Sequence, residues 1–243
     1  MKALYKKELE QYFHTAIGYV YLTIFLLVCG FYFIMSNMDP LKGDIRTFFS
    51  NILMFVMFII PLLTMRSFSE ERKGRTDVLL FTAPMRDISV VAAKFLAAMT
   101  VFCAGIALTL VFVAILGIYG QLDIYVVITN YLGLIFAASA YVGIGLFLSA
   151  KTESQLSAAA ATYCVIFFLW ILNYFKPDFG SDKLLGSFLT QVIGFITGFF
   201  SFSKRFSTFA MGMLNFSDIL FYLSVAGAFL LICVRELDRR KDL

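Results

Sequence analysis

Six long apolar runs are the feature that most limits how this chain can fold. They cover about 17–36, 48–65, 94–118, 124–149, 156–175 and 217–234. An apolar run of roughly 20 residues can cross the hydrocarbon core of a bilayer as a helix, which pairs every backbone polar group within it. We therefore predict an all-α membrane protein with six transmembrane helices, in a single transmembrane domain that spans residues 1–243.

The composition supports a bilayer as the surroundings of the chain. Of the 243 residues, 60% are apolar and 15% are charged, whereas a soluble domain usually has about 25% charged residues. The net charge is only +4, and it is unevenly distributed, so it indicates orientation rather than a nucleic-acid partner.

Lysine and arginine residues favour one side of the predicted bundle. If the N-terminus lies inside, 14 of the 20 basic residues fall in cytoplasmic segments and six in outer segments. The positive-inside rule then predicts that both termini are cytoplasmic.

The segment 184–203 is uncharged over 20 residues and is long enough to be a seventh span. A seventh crossing would place the basic C-terminal residues outside, against the positive-inside rule. We therefore predict re-entrant helices that dip into the outer leaflet between spans five and six, within the region 184–213. The seventh span is the alternative.

The residues before the first span have an amphipathic pattern. Apolar side chains recur near helical spacing at Leu4, Tyr5, Leu9, Tyr12 and Phe13. Charged side chains occupy much of the other side, at Lys6, Lys7, Glu8 and Glu10. This pattern predicts an interfacial helix over residues 1–16, and the alternative is a solvated tail.

The most charged segment joins the second and third apolar runs. It carries Arg66, Phe68, Glu70, Glu71 and Arg72. A short helix with apolar and charged side chains can bind a groove on a soluble partner, because apolar anchors supply affinity and rim charges fix the register. We predict such a coupling helix over 65–76, and composition alone leaves an ordinary solvated loop open.

The sequence lacks a nucleotide-binding loop, charged residues in the middle of the spans and grouped metal ligands. No G-x-x-x-x-G-K-[ST] loop for nucleotide phosphates occurs, and no charged residue lies in the middle of a proposed span, where ion-coupled transporters generally need one. The four cysteines are isolated and His14 is the only histidine, so we expect no metal site. The expected protein has no catalytic residue and no cofactor of its own, and it is either passive or driven by a partner.

The residues from Glu70 to Arg75 fit an E-E-x-x-x-R pattern. This pattern resembles one in a family of intramembrane prenyl-protein proteases, in which the glutamates act together with additional histidines. Because this chain has one histidine, an intramembrane hydrolase is the least favoured interpretation.

Four patches in order along the chain resemble the ABC-2 type permease subunits of ATP-binding-cassette transporters. The likeness is to the compact six-span group that includes gliding-motility and nitrous-oxide-reductase-maturation permeases. The patches lie within 7–19, 61–84, 145–159 and 206–240. The second is the most specific, with Pro61-Leu-Leu-Thr-Met-Arg66 followed by Glu70-Glu-Arg72. The chain departs from the family in having Arg75 as an extra residue and Ser203-Lys-Arg205 where relatives often have a histidine.

The resemblance implies a permease, most often an exporter, in the bacterial inner (plasma) membrane. It would pair with a second copy or a sister permease and with ABC ATPase subunits, which would bind ATP and Mg. An extracytoplasmic accessory protein is a further expected partner. The alternative function is a mechanotransmitter or membrane anchor, which passes ATP-driven motion to an extracytoplasmic partner.

The resemblance also implies roles for particular residues. The expected ATPase-coupling residues are Arg66, Phe68, Glu70, Glu71 and Arg72, supported by Lys7, Glu8, Lys151 and Glu153. The region 184–213 would be an extracytoplasmic gate. The candidate gate and substrate-path residues are Asn130, Asn173, Gln191, Phe206 and Phe209. Small residues such as Gly133, Gly143 and Gly145 predict close helix packing, which could include the interface between two permeases.

Overall fold

A computed structural model describes residues 2–37, 45–74, 86–119, 123–171 and 202–241. The regular secondary structure in these ranges is helical, which agrees with the predicted all-α class. The described helices are α1 Lys2–His14, α2 Ala16–Asn37, α3 Ile45–Thr64, α4 Ser69–Lys73, α5 Asp87–Tyr119, α6 Ile124–Lys151, α7 Gln155–Ile171, α8 Phe202–Ala210 and α9 Phe216–Lys241.

Five of the described helices, α2, α3, α5, α6 and α9, are long and apolar enough to cross a membrane. The predicted fifth span corresponds to α7, a shorter apolar helix of 17 residues; positions 172–175 of that span lie outside the described residues. Six spans therefore stay a prediction. The helix α5 begins at Asp87, seven residues before the predicted span, so it extends beyond the purely apolar run.

The central helix of the bundle is α6. It packs against α3, α5, α7, α8 and α9, and 72% of its most apolar window is buried, against 22% for α2. Small residues allow this close approach: a Cβ on Gly143 would lie 3.2 Å from the Ala226 carbonyl of α9, and one on Gly145 would overlap the Thr64 side chain of α3. These glycines of α6 therefore serve packing within the chain.

The outer helices expose large apolar side chains. Leu27 of α2 is 68% exposed, Ile118 of α5 is 77% exposed and Leu231 of α9 is 63% exposed. Many other large apolar side chains of α2, α5 and α9 are also exposed, and extensive exposed apolar surface is rare on soluble monomers. It fits helices whose outward faces contact lipid.

The two ends of the bundle differ in character. At one end, called the α4 end below, α1 and α4 both contact the first turns of α5, and α4 also contacts the turn 152–154 between α6 and α7. At the other, the α8 end, the short helix α8 stops in a reversal: the Met213 N–H donates to the Thr208 carbonyl, and Gly212 has a φ of 83°. This is the left-handed helix ending that favours glycine. The predicted gate positions 184–201 lie outside the described residues.

Candidate functional site

Lys94 of α5 is a buried cation at the α4 end. Its ammonium lies 2.9 Å from the Glu8 carboxylate of α1 and 3.0 Å from the Glu71 carboxylate of α4. It also donates a 2.6 Å hydrogen bond to the carbonyl of Ser67. An ammonium has three donors, so these three partners satisfy it. The side chain of Lys94 is 1% exposed.

This cluster joins three parts of the chain that are distant in sequence. Glu8 comes from the N-terminal helix, Lys94 from the start of α5, and Ser67 and Glu71 from the segment 65–74. Phe68 adds a ring 4.9 Å from the Lys94 ammonium. Removing one member of such a buried group leaves an uncompensated charge, which costs about 3–5 kcal/mol. The cluster therefore fixes the segment 65–74 to α1 and α5.

Ser149, near the end of α6, holds the same segment from another side. Its hydroxyl oxygen accepts hydrogen bonds from the backbone N–H groups of Phe68, at 3.1 Å, and Ser69, at 3.3 Å. The hydroxyl donates in turn to the Met65 carbonyl at 3.1 Å. One side chain thus uses all of its hydrogen-bonding capacity on one turn of backbone.

The insertion of Ser149 explains why the predicted helix over 65–76 is shorter than expected. A side chain that enters the i to i−4 hydrogen-bond ladder interrupts a helix, and the residues 65–68 form turns rather than helix. The helix α4 covers only Ser69–Lys73, while positions 75 and 76 lie outside the described residues.

Arg72 connects α4 to the turn between α6 and α7. Its guanidinium donates to the Lys151 carbonyl at 3.1 Å and to the Glu153 carboxylate at 2.6 Å. The structure thus brings the predicted coupling helix together with Lys151 and Glu153, which the sequence analysis expected to support it. The Lys151 contact uses the backbone, and its side chain is exposed.

An open groove of about 660 Å³ lies between α4 and this turn. Met65, Arg72 and Lys73 line one side of it, and Glu153 to Leu156 line the other. Leu156 is 80% exposed. The groove therefore places an exposed apolar side chain beside charged ones.

Further contacts tie α1 and α3 to the same end. The Tyr12 hydroxyl donates to the Leu63 carbonyl at 3.0 Å. Burial raises the pKa of Tyr12 above its ordinary value, so the phenol keeps the proton that makes this bond. Arg66 and Glu70 form an ion pair of 2.5 Å along one side of the segment.

The predicted orientation of Glu8 is wrong. Leu4, Glu8 and Tyr12 form the buried face of α1, because residues four apart lie on the same side of a helix. Lys7 is exposed, as predicted. Sequence reasoning also missed Lys94, which it used only as an orientation signal. Two signals in the sequence could have indicated this pair. Glu8 lies four residues from both Leu4 and Tyr12, which places it on their apolar face, and Lys94 stands at the start of a predicted span.

The candidate gate residues that the structure describes lie deep in the α8 end. Phe206 and Phe209 are 2% and 0% exposed and pack against Gly133 of α6. Asn130 is buried on the same stretch of α6, where its side-chain amide donates to the Val126 carbonyl at 2.7 Å. Asn173 and Gln191 lie outside the described residues.

An ion pair also stabilises the α8 end. Arg205 of α8 lies 2.9 Å from the Asp218 carboxylate of α9, with its guanidinium 4.2 Å from the ring of Phe221. Among the described residues, no three His, Cys, Asp or Glu side chains form a group that could hold a metal ion.

The fold and the α4 end define the class of protein: an α-helical integral membrane protein with several apolar helices and a polar site at one end of the bundle. A family model described as "ABC-2 family transporter protein" matches residues 3–242, and the chain belongs to this family. It is a membrane permease component of an ABC transporter, in which a separate ATPase hydrolyses ATP. No curated protein is found to match the sequence.

Proposed function

We propose that the chain is the permease subunit of an exporter and that its α4 end docks the ATPase. In this proposal the protein lies in a bacterial inner membrane, and both termini and the α4 end face the cytoplasm. The family supports the ATPase as the partner, and the excess of basic residues at this end supports the orientation.

The Lys94 cluster is the observation that carries the proposal. It fixes the segment 65–74 to α1 and α5, while Ser149 and Arg72 fix the same segment to α6 and its following turn. A displacement of α4 by the ATPase would therefore move several helices together. Rigid-body motion of packed elements is a common route for such transitions.

The groove beside α4 supplies the proposed contact surface. Met65 and Leu156 offer apolar anchors, and Lys73 and Glu153 offer charges at the rim. Apolar anchors supply affinity and rim charges set the register.

The coupling residues divide into three groups in this proposal. Glu8, Glu71 and Phe68, all largely buried, position the segment from within. Lys7, Lys73 and Glu153 are exposed and would meet the ATPase. Arg66, Glu70 and Arg72 are partly exposed and are paired within the chain.

The complete transporter would contain two permeases, either identical or sister subunits, and two ATPase subunits that bind ATP and Mg. The region 184–213 would form the extracytoplasmic gate, and an accessory protein could dock there.

The test is coexpression with the cognate ABC ATPase subunit. We expect Leu156→Asp to abolish copurification and permease-dependent ATP turnover, because a charge replaces an apolar anchor. The matched control is Leu214→Asp, which changes an exposed leucine at the α8 end and should retain both. Full copurification and turnover with Leu156→Asp would refute the docking assignment.

The mechanical alternative needs a separate measurement. An exporter's ATP turnover should respond to its solute in proteoliposomes. A mechanotransmitter should respond to an extracytoplasmic protein partner instead.

A further inference from the structure

A small pocket lies between α1 and the segment 65–74. Its walls include Glu8, Gln11 and Tyr12 from α1, and Arg66, Ser67 and Glu70 from the other side. The internal volume is about 20 Å³. The pocket therefore adjoins the Lys94 cluster, sharing Glu8 and Ser67 with it.

Three polar atoms of the lining residues are buried and have no hydrogen-bond partner in the described part of the chain. They are Arg66 Nε, Ser67 Oγ and Glu70 Oε2. Ser67 is only 7% exposed. Buried polar groups in native proteins are nearly always paired, with protein or with ordered water, because an unpaired one loses its hydration without replacement. Three such atoms at one pocket indicate a ligand.

The donors and acceptors restrict what this ligand can be. The Arg66 Nε–H can only donate, which disfavours a cation, and the Glu70 carboxylate can only accept, which disfavours an anion. The ligand must therefore both accept and donate hydrogen bonds while remaining neutral.

The volume restricts the ligand further. A cavity needs at least about 10–15 Å³ to hold one water molecule, and this pocket offers about 20 Å³. Larger neutral molecules, such as a glycerol moiety of a lipid, need more room than this volume offers.

We propose that this pocket is a binding site for a single ordered water molecule. The water accepts from Arg66 Nε and donates to Glu70 Oε2. It shares a third hydrogen bond with the Ser67 hydroxyl, which can donate or accept. Three hydrogen bonds is the usual number for a buried water.

The three partners of the water all belong to the segment 65–74, so the water links neighbouring side chains of that segment beside the wall that α1 forms. A bridging water satisfies its partners nearly as well as a direct hydrogen bond. The ion pairs of the Lys94 cluster hold the segment to α1 and α5, and the water keeps the polar side chains of the segment hydrogen-bonded next to them. The inference does not depend on the proposed docking of an ATPase.

The test is X-ray radiolytic labelling of the purified full-length chain in nanodiscs. Hydroxyl radicals formed from a bound water oxidise the side chains beside it. Tyr12 lines the pocket and is 9% exposed, whereas Tyr141 and Tyr222 are 1% and 0% exposed in the bundle and serve as controls. We expect Tyr12 to be oxidised several-fold faster than either control. After rapid mixing with ¹⁸O water, ¹⁸O should appear in oxidised Tyr12 more slowly than in oxidised Tyr125, which is exposed.

A pocket-filling variant makes the test specific. Ser67→Val replaces the hydroxyl by methyl groups that occupy the pocket, and we expect oxidation of Tyr12 to fall to the level of Tyr141. Ser207→Val, at an exposed serine of α8, is the matched control and should leave Tyr12 oxidation unchanged.

Three results would overturn the proposal. Oxidation of Tyr12 no faster than that of Tyr141 would mean that no water is bound, or that lipid fills the pocket. Immediate ¹⁸O exchange would mean that the pocket is open to bulk solvent. Unchanged oxidation in a folded Ser67→Val variant would place the water elsewhere. If that variant does not fold, the oxidation rates of Tyr12 and Tyr141 in the unaltered protein still test whether the pocket holds a water molecule.

Discussion

The ammonium of Lys94 lies 2.9 Å from the carboxylate of Glu8, although 86 residues separate them in sequence. Both side chains are almost completely buried, with exposures of 1% and 5%. This pair makes the N-terminal helix part of the same packed unit as α5. An amphipathic helix held only by lipid would not need a buried ion pair.

We expect Lys94→Met to destabilise the protein by about 3–5 kcal/mol, because Glu8 and Glu71 would then be buried without their cation. The measurement is the free energy of unfolding from detergent titration. Lys6→Met is the matched control, since Lys6 is 78% exposed, and it should change stability by no more than about 0.5 kcal/mol. Adding Glu8→Gln to Lys94→Met should recover part of the loss. Equal stability of the Lys94 and Lys6 variants would contradict the buried cluster.

Ser149→Ala should cost about 1–3 kcal/mol, because the Phe68 and Ser69 N–H groups and the Met65 carbonyl lose a shared partner. The same variant should expose the segment 65–74 to limited proteolysis, which mass spectrometry can locate. Ser157→Ala, at an exposed serine of α7, is the control. Cleavage at the same rate in both variants would show that Ser149 does not hold this segment.

Gly145→Ala tests the close packing of α6 against α3. The new methyl group would overlap the Thr64 side chain, and overpacking of this kind costs about 1–3 kcal/mol. Thermal unfolding in detergent measures the loss, and Thr64→Ala should relieve part of it. Gly227→Ala in α9 is the control, since nothing lies within 4 Å of the added Cβ. There the higher helix propensity of alanine should maintain or raise stability.

A charge swap tests the contact between Arg72 and Glu153. Because Glu153 is 75% exposed, the pair should contribute only about 0–1 kcal/mol to stability. We expect Arg72→Glu to lower permease-dependent ATP turnover in the copurified complex while leaving the unfolding temperature nearly unchanged. The double variant Arg72→Glu with Glu153→Arg should restore part of the turnover. A double variant as defective as the single one would mean that the two residues do not act through each other.

Helices were the most predictable part of this protein. The runs 17–36 and 124–149 correspond to α2 and α6 to within two residues at each end, because the length and apolarity of a run are local properties. The charged segment after Pro61 was also recognisable, since a concentration of charge between apolar runs is visible without any knowledge of packing.

The contacts of that segment were not predictable in the same way. Glu8 was expected on the charged side of α1, yet it points to Lys94, because the helices α1, α4 and α5 meet where both carboxylates can reach one ammonium. No sequence pattern marks Ser149, near the end of a span, as a contact residue. Only the approach of α3 and α6 places its hydroxyl against the backbone at 65–69.

By itself, the sequence determined that apolar helices form, where charge collects between them and which family the chain resembles, because run length and motif order are read along the chain. The tertiary structure decided which charges are buried together, which glycines pack inside and which side chains stay exposed. These depend on distances between residues that packing alone brings together.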